Sequence, residues 1–412
     1  MNGLRTFFYM ALLGLPIFST QAQDLERPAD ISLETLQFGP HNRWAFSHLR
    51  EMITTVNISK DKDFTRSLPS SAVEPQDVII NWKGSQTNLT DVLASQYNDG
   101  ILVLKDGEIL VEGYFGALTE QRPHAMFSMS KSVVGIIAAI LENKGMVDLS
   151  KPVSFYVPEL IGSGYGEETL RRLMDMRDGT NYTETYADIN STVQVSDCSA
   201  GFYGGKACPE TYPETVYEVL ESVGRDEGAA NLFNYKSGNT DAVAWALEVA
   251  SGEKLSTLVE ENLWETMGAE HNASITVDMG GFEYANGGMS ATLRDMGRFG
   301  QLLLENGALR DEQIIPKEHI SDIREHLEEP DWMKGDRADG FFYRSFFWGS
   351  GGDNNDFMAA GIHGQRVYIS PDSNMVIVLF SSWPTAGGNG TDHGWQLSLD
   401  LISAMIEKYS PR

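Results

Sequence analysis

Segments typical of β-strands occur on both sides of a long, mainly helical middle of the sequence. Residues 101–116 form two β-rich runs around Asp106-Gly107, a dipeptide that favours two-residue hairpins. After the helical middle the chain returns to strands, and then to a helix from about Trp395 to Ile406. This order predicts an α+β protein of the α/β-sandwich type. Its antiparallel sheet would be built from both chain ends and flanked by helices, with an all-α lobe inserted at about 150–285.

The start of the sequence is typical of a secretory signal peptide. Arg5 precedes an apolar run from Phe7 to Phe18, and the small residue Ala22 follows. The run is shorter than a membrane-spanning helix. We therefore expect removal of residues 1–22, a periplasmic or secreted protein, and no stable membrane anchor; an uncleaved tether is the alternative. Residues 23–95 are polar and weakly patterned, which predicts an N-terminal extension ahead of a main domain at 96–412.

The charge and the cysteines narrow the range of partners and compartments. A formal net charge of −27 repels phosphate backbones, so we expect no nucleic-acid partner. The two cysteines, Cys198 and Cys208, are ten positions apart. In an oxidising compartment such a pair usually forms a disulfide, and two independent buried thiols are the alternative.

The motif Ser-x-x-Lys occurs at Ser59, Ser128 and Ser251. The first and third copies lie in charged or turn-like stretches that solvated loops explain. The second copy opens an almost entirely apolar helix, with Lys131 one helical turn after Ser128. The sequence contains no Gly-x-Ser-x-Gly elbow, no His-Glu-x-x-His zinc motif and no phosphate-binding glycine loop. The second copy is therefore the best candidate for chemistry.

A serine hydroxyl is a weak nucleophile until a base takes its proton, and a lysine is a suitable base when burial lowers its pKa. The helix N-terminus also offers backbone N–H groups to an oxyanion. A tyrosine hydroxyl beside the lysine would move the proton to the leaving group, and Tyr235, directly before a predicted helix, is the candidate. The simpler alternatives are a helix-capping Ser128 with a surface Lys131, and a core Tyr235.

The segments FSMSKSVVG and FNYKSGNTD resemble the first two motifs of the serine β-lactamase and penicillin-binding-protein superfamily. The nearest branch is the class C-like group of esterases and 6-aminohexanoate-dimer hydrolases, and the resemblance covers roughly residues 95–405. It implies a two-lobe fold with the site between the lobes. It also implies an acyl-enzyme mechanism on a small-molecule amide or ester, without a metal or other cofactor. Ser128, Lys131 and Tyr235 match the catalytic positions, and Ser237 completes Tyr-x-Ser.

The resemblance places the third motif in AAGIHGQRVYISP, around His363, Gly364 and Gln365. The backbone N–H of Gln365, paired with that of Ser128, is the implied oxyanion hole. His363 is interpreted as a motif or pocket-wall residue and not as a base. This stretch lacks the lysine that grips a β-lactam carboxylate, and Tyr-x-Ser replaces Tyr-x-Asn. Both departures argue against an efficient β-lactamase and for an esterase or amidase.

Further residues are candidates for substrate binding. Tyr186 and Asp188, in TETYADIN, resemble the substrate-facing loop of nylon-oligomer hydrolases, in which an acidic residue would meet a substrate ammonium. A solvated loop is the alternative. Ser237 and Asn286, the latter before a glycine pair, complete the candidates. The aromatic stretch at 341–348 either walls an apolar cleft or packs in the core.

Together these observations predict an exported serine hydrolase that cleaves an amide or ester bond through a Ser128 acyl-enzyme, most like the 6-aminohexanoate-dimer hydrolases. A carboxylesterase, and after it a β-lactamase or D-alanyl-D-alanine peptidase, are alternatives with the same chemistry. The alternative from another class is a binding protein that kept the fold and lost catalysis. The intact set of Ser128, Lys131 and Tyr235 argues against that alternative.

Overall fold

The computed structural model describes residues 26–203, 208–226, 228, 232–324, 341–350, 355–387 and 394–410. The predicted signal peptide, residues 1–22, lies outside the described residues. Within them, no helix combines the length and the apolar character that crossing a membrane requires. The described chain forms a large sheet, helices packed against it, and a helical region inserted between its strands.

The strands of the described chain are, in sequence order, β1 (Thr55–Ile58), β2 (Ser70–Val73), β3 (Ile79–Trp82), β4 (Ser85–Asn88), β5 (Asn98–Lys105), β6 (Glu108–Tyr114), β7 (His124–Ala125), β8 (Ala273–Thr276), β9 (Met289–Ala291), β10 (Ala308–Leu309), β11 (Glu312–Gln313), β12 (Phe341–Arg344), β13 (Phe347–Ser350), β14 (Phe357–Gly361), β15 (Gln365–Ser370) and β16 (Met375–Ser381). Within the described residues, eight of these strands form one sheet in the order β12-β13-β14-β15-β16-β5-β6-β2. The predicted hairpin therefore pairs with strands from the end of the chain, which confirms the expected fold class.

One edge of the large sheet departs from the expected antiparallel pattern. Neighbouring strands pair antiparallel from β12 to β6, but β2 runs parallel to β6, with Ser70 opposite Ile109. All four residues of β2 are exposed. Because its sequence has no alternation of apolar and polar residues, neither the strand nor its direction could be predicted from the pattern.

A second, smaller sheet brings the site-bearing segments together, in the order β1-β8-β9-β7. His124 of β7 pairs with Ala291 of β9, so the segment before Ser128 lies beside the segment after Asn286. The N-terminal stretch supplies β1 to this sheet, and it also buries Trp44 in the hydrophobic core of the main body. The division of the chain at residue 95 stays a prediction.

The helices of the described chain are α1 (Asn42–Ala45), α2 (Leu89–Ser95), α3 (Met129–Asn143), α4 (Leu170–Met174), α5 (Thr192–Ser199), α6 (Val216–Ser222), α7 (Gly238–Ser251), α8 (Leu255–Val259), α9 (Leu293–Leu304), α10 (Lys317–Arg324) and α11 (Gly394–Tyr409). A π-helical turn, Glu260–Trp264, follows α8 directly, and short 3₁₀ turns occur at Leu49–Glu51, Pro75–Asp77, Val153–Phe155, Pro158–Leu160 and Ile362–Gly364. Helices α4 to α8 occupy the predicted helical region. Helix α5 has a weak apolar pattern, and the sequence did not predict it.

Helix α3 is the buried helix that the sequence predicts. Every residue from Met129 to Leu141 is buried, because the helix packs against α7, α8, β14 and β15 and has no polar face to expose. Gly145 ends it with a positive φ of 70°, as expected of a C-terminal cap. The first residues of α3 therefore lie between the large sheet and the helical region.

Candidate active site

Ser128 is the N-terminal flanking residue of α3 and is 8% exposed. The residue before it, Phe127, has a positive φ of 46°, which is strained for a bulky side chain and costs about 1–3 kcal/mol. Packing holds Phe127 in this conformation: its ring lies 4.8 Å from that of Phe46 and 5.2 Å from that of His363. The strained turn sets the position of Ser128, which lines two neighbouring cavities.

Lys131 lies directly beside this hydroxyl. Its Nζ is 2.8 Å from Ser128 Oγ, and its side chain is completely buried. Burial lowers the pKa of Lys131 to about 8, although three nearby carboxylates act in the opposite direction, those of Glu184, Asp241 and Asp197. A lysine with such a pKa is neutral in a substantial fraction of molecules at mildly alkaline pH. It can then accept the proton of Ser128.

Asn286 holds the amine of Lys131 from the opposite side. Its backbone carbonyl accepts a hydrogen bond from Lys131 Nζ at 2.7 Å. Its own amide groups both bind Asp241: the backbone N–H at 3.0 Å and the side-chain Nδ2 at 2.6 Å. Asn286 was predicted as a substrate-binding residue. It does line a cavity beside Ser128, but its backbone N–H, its carbonyl and its side-chain Nδ2 are bonded within the protein.

Tyr235 contributes an aromatic wall beside the lysine. Lys131 Nζ lies 5.4 Å from the centre of the Tyr235 ring, which stacks on Trp348 at 5.7 Å. Tyr235 and Ser128 line the same cleft. The ring is therefore held next to both the base and the nucleophile, as the second motif requires.

Ser237 and Tyr186 are linked through Glu184, which the sequence analysis did not identify. The Glu184 carboxylate accepts hydrogen bonds from Ser237 N at 2.8 Å, Ser237 Oγ at 2.6 Å and the Tyr186 hydroxyl at 2.7 Å. Both predicted residues line the cavity beside Ser128. Their hydroxyls are anchored to this carboxylate, so Glu184 fixes the loop of Tyr186 to the start of α7.

The three predicted residues of the third motif, His363, Gly364 and Gln365, lie behind the cleft and not in its wall. His363 Nδ1 is 2.7 Å from the Trp383 carbonyl, and burial lowers the pKa of His363 to about 4, so the ring is neutral. Gly364 has a φ of 95°, and a Cβ there would lie 2.6 Å from the Trp383 ring, which only glycine avoids. The side chain of Gln365 is completely buried and bonds to Ser381 of β16.

Ile362 is better placed than Gln365 to supply the second backbone N–H of an oxyanion site. Gly361 pairs with Gln365 at the end of the β14–β15 hairpin. Ile362 therefore lies in the turn that joins these two strands. Ile362 lines both cavities beside Ser128, whereas Gln365 lines neither. The backbone N–H of Ile362 is therefore the better candidate to complete an oxyanion site with that of Ser128. The sequence marks the glycine-containing turn but not which of its residues faces the cleft.

Two cavities meet at Ser128. The smaller, of about 20 Å³, is lined by Asp197, which the sequence analysis missed, together with Tyr186, Ser237 and Asn286. Desolvation raises the pKa of Asp197 to about 7, against a hydrogen bond from the Tyr284 hydroxyl at 2.7 Å that lowers it. The larger cleft, of about 540 Å³, has an aromatic wall.

Asp188 is not brought to either cavity. Its side chain is exposed, and its carboxylate accepts the backbone N–H of Asn190 within its own loop. The acidic residue in the wall of the smaller cavity is Asp197, near the end of α5. The next residue, Cys198, forms a disulfide with Cys208. The bond fixes the end of the helix that carries Asp197.

The aromatic stretch at 341–348 both lines the cleft and packs in the core. Phe341 and Trp348 line the larger cleft, together with Trp383 and Trp395. Tyr343 and Phe347 are buried in the core. Phe347 and Trp348 are successive residues of β13, so their side chains point to opposite faces of the sheet. Tyr343 shares the face of Trp348 and is buried against its ring, at 4.8 Å.

Comparison with known proteins assigns the chain to a family. The sequence profile of the Beta-lactamase family matches residues 93–399, and the chain belongs to this family. A 6-aminohexanoate-dimer hydrolase from Paenarthrobacter ureafaciens is 33% identical over 361 residues, which cover 86% of this chain and 88% of that relative.

Solved structures show the same relationship. A protein from Bacillus anthracis, provisionally named a 6-aminohexanoate-dimer hydrolase, superposes with a TM-score of 0.85 at 27% identity, covering 93% of this chain and 98% of its own. Simvastatin synthase (LovD) from Aspergillus terreus has a TM-score of 0.58 at 14% identity, covers 77% and 96% respectively, and shows the shared fold alone. The chain is thus a hydrolase with the β-lactamase fold. Within that class it is related to the 6-aminohexanoate-dimer hydrolases.

Proposed function

We propose that this protein is a serine hydrolase that cleaves a linear amide or ester through an acyl-enzyme on Ser128. The observation that carries the proposal is the 2.8 Å contact between Ser128 Oγ and the buried amine of Lys131. A surface lysine would stay protonated at neutral pH, whereas burial lowers the pKa of this one to about 8. The contact therefore joins a nucleophile to a base of suitable strength.

The reaction has two stages. Neutral Lys131 takes the proton of Ser128, and Oγ attacks the substrate carbonyl. The N–H groups of Ser128 and Ile362 stabilise the oxyanion, and Tyr235 helps to pass the proton to the departing amine or alcohol. A water molecule, activated by the same groups, then hydrolyses the Ser128 ester and releases the acid.

The charge beside the nucleophile favours a substrate with an ammonium group. Asp197 lies in the wall of a cavity with room for about one water-sized group, which matches the size of an ammonium. A cationic partner would lower the pKa of Asp197 from about 7 and keep the carboxylate charged. We therefore favour an ω-amino acyl amide, the chemistry named for the Paenarthrobacter ureafaciens relative.

A carboxylesterase is the second candidate, and the larger cleft favours it. Its walls include Trp348, Trp383 and Trp395, whose rings suit an uncharged, apolar alcohol as well as an amine. The absence of a lysine from the third motif argues against β-lactams, because no ammonium is offered there to the ring carboxylate.

Hydrolysis of two substrates tests the proposal: a short-chain nitrophenyl ester and the linear dimer of 6-aminohexanoate. Each is assayed with the purified protein and with Ser128→Ala, at matched thermal stability. We expect turnover by the wild type and a loss of about 10³-fold or more in the variant, because the nucleophile is gone. Turnover that survives in the variant contradicts the proposal. The ratio of amide to ester cleavage distinguishes the two candidate functions.

We also propose that the protein is exported after removal of residues 1–22. The Cys198–Cys208 disulfide supports this location, since such bonds persist in oxidising compartments. Expression of the full chain in a bacterial host, followed by fractionation and N-terminal sequencing, tests it. A mature protein outside the cytoplasm that starts near Gln23 is the expected result, and an intact Met1 in the cytoplasmic fraction contradicts it.

A further inference from the structure

Asp241 is a completely buried carboxylate on α7 that lines neither of the two cavities described above. Its two oxygens accept two hydrogen bonds from a single residue: Oδ1 from the backbone N–H of Asn286 at 3.0 Å, and Oδ2 from the side-chain amide at 2.6 Å. Such a two-point attachment fixes both the backbone N–H and the side chain of Asn286.

The residue anchored in this way also holds the amine of Lys131, through its own carbonyl. The Asn286 carbonyl accepts from Lys131 Nζ at 2.7 Å, and the same Nζ is 2.8 Å from Ser128 Oγ. Asn286 precedes Gly287-Gly288, so no side chain on the next two residues packs to restrain this turn. A continuous set of contacts thus runs from Asp241 through Asn286 and Lys131 to the Ser128 hydroxyl.

We propose that Asp241 is a positioning residue for Lys131: it orients the carbonyl that holds the amine against Ser128, and its charge sets the pH at which the amine loses its proton. The inference rests on the proposed role of Lys131 as the base. It adds a group that touches neither the substrate nor the nucleophile and acts only through Asn286 and through its charge.

The hydrogen-bond pattern favours an ionised carboxylate. Both oxygens accept from N–H donors, and a protonated oxygen is the weaker acceptor. Burial raises the pKa of Asp241 to about 7, so the carboxylate is ionised at mildly alkaline pH. The other charged or titratable groups that face this pair are Glu184, Asp197, Tyr165, Tyr182, Tyr235 and Tyr284.

The sign of the charge effect follows from these neighbours. A carboxylate favours the protonated form of Lys131 and therefore raises its pKa. Removing the charge of Asp241 would lower that pKa, and the active, neutral amine would persist to lower pH. The acidic limb of the pH–rate profile would then move towards lower pH, by about one unit for a close charge.

Two substitutions separate the charge from the geometry. In Asp241→Asn the Asn286 amide can rotate, so that two hydrogen bonds between the residues remain while the charge is lost. We expect the midpoint of the acidic limb to move down by about one pH unit, with a small change in the plateau. In Asp241→Ala the bonds are lost as well, so the plateau of kcat should also fall, by about 10- to 100-fold.

The assay uses an uncharged nitrophenyl ester, so that binding of a substrate ammonium does not enter the profile. Asp295→Asn is the matched control. Asp295 is also completely buried and accepts backbone N–H bonds from Glu270 and His271, but it lines neither cavity. We expect a lower Tm and an unchanged midpoint in this control.

An unchanged midpoint in folded Asp241→Asn overturns the inference. If this variant does not fold, Asn286→Ala tests the same contacts, because it removes one anchoring bond and keeps the charge of Asp241. Its plateau should fall while its midpoint stays in place, and a plateau equal to the wild type overturns the inference. Ser128→Ala separates the two proposals. Activity in that variant contradicts the proposed function itself. If Ser128→Ala is inactive and the midpoint of the acidic limb is unchanged in Asp241→Asn, only the role of Asp241 is contradicted.

Discussion

The two cavities that meet at Ser128 differ in size, polarity and charge. The smaller holds about 20 Å³ and places Asp197 close to the buried base. The larger holds about 540 Å³, and its wall includes the side chains of Tyr235, Phe341, Trp348, Arg366, Trp383 and Trp395. One side of the nucleophile is therefore compact and acidic, and the other is wide and mainly aromatic.

This difference suggests that the two cavities select the substrate by different properties. A cavity that admits about one water-sized group selects by charge and hydrogen bonding, because there is no space for alternatives. A wide aromatic cleft gains affinity from buried apolar area and accepts many shapes. Changes on the small side should therefore discriminate between charged and neutral substrates. Changes on the large side should alter affinity in proportion to the size of the group that departs.

Among the residues around the nucleophile, the largest effect is expected at Ile362, which lines both cavities together with Ser128 and Tyr186. Ile362→Pro removes the backbone N–H proposed for the oxyanion, and kcat should fall by about 10²–10³-fold for ester and amide alike. Proline is compatible with this position because Gly361 is extended, with φ −128° and ψ 155°, and Ile362 starts a short helical turn. Steady-state kinetics with both substrates measure the loss.

Ile362→Val is the control for this substitution, since it changes the side chain and keeps the N–H. It should retain activity within about threefold of the wild type. Full activity in Ile362→Pro would show that another donor completes the oxyanion site, and Gln365, the donor predicted from the sequence, would then be the next to test.

The next effect is expected from Asp197→Asn, which removes the charge of the small cavity. For a substrate with an ammonium group we expect kcat/KM to fall by about 10²-fold, because a buried ion pair would lose one partner. For an uncharged ester the change should stay within about threefold. Asp188→Asn is the control, because Asp188 is exposed and bonds only within its loop. Equal losses for both substrates would contradict a charge-selective role of Asp197.

The outcome for Asp188 and Asp197 illustrates what a sequence can predict about such a site. Ser128 and Lys131 are one helical turn apart, so their proximity follows from the helix alone and was predicted. Tyr235 was found because it precedes a largely apolar helix within a known motif. In contrast, Asp197 reaches the nucleophile only through the packing of α5, a helix with little apolar periodicity.

In the sheet, too, local features were predicted from the sequence and tertiary ones were not. Alternation and turn residues were sufficient to predict the β5–β6 hairpin and the β15–β16 pair, which confirms the fold class. The choice between Ile362 and Gln365 depended instead on the register in which Gly361 faces Gln365. Register is a tertiary property, since a shift by one residue reverses every side chain. Asp241 was missed for the same reason, because its contacts with Asn286 join distant parts of the chain.

The pH dependence should separate the two cavities further. With an uncharged ester, kcat/KM should rise about tenfold per pH unit up to the pKa of Lys131, about 8, because only the neutral amine is a base. With an ammonium substrate the rise should be steeper below about pH 7, since Asp197 must also lose its proton to bind the cation. Parallel profiles for both substrates would contradict this division. In Asp197→Asn the two profiles should become parallel.

On the large side we expect a smaller and graded effect from Trp395→Leu. Trp395 lines the cleft, with its ring 5.3 Å from that of Trp348 and 4.4 Å from the guanidinium of Arg366. Loss of aromatic surface should lower kcat/KM by about tenfold for esters with a large apolar alcohol. For methyl or ethyl esters the loss should be about twofold, because little area is buried. An equal loss across this series would indicate general damage to the cleft.

The smallest effect on activity is expected from the disulfide, because it acts on the small cavity only through the end of α5. Reduction of Cys198–Cys208 should lower the free energy of unfolding by about 2–3 kcal/mol, since an 11-residue loop is released. Asp197 directly precedes Cys198, so KM for the ammonium substrate should rise about two- to fivefold, while kinetics with the neutral ester stay unchanged. The sequence contains only these two cysteines, so the double variant Cys198→Ser and Cys208→Ser should reproduce the reduced protein and ignore added reductant. A reductant effect that persists in the double variant, or an equal rise in KM for both substrates, would contradict the proposed effect of the disulfide on the acidic cavity.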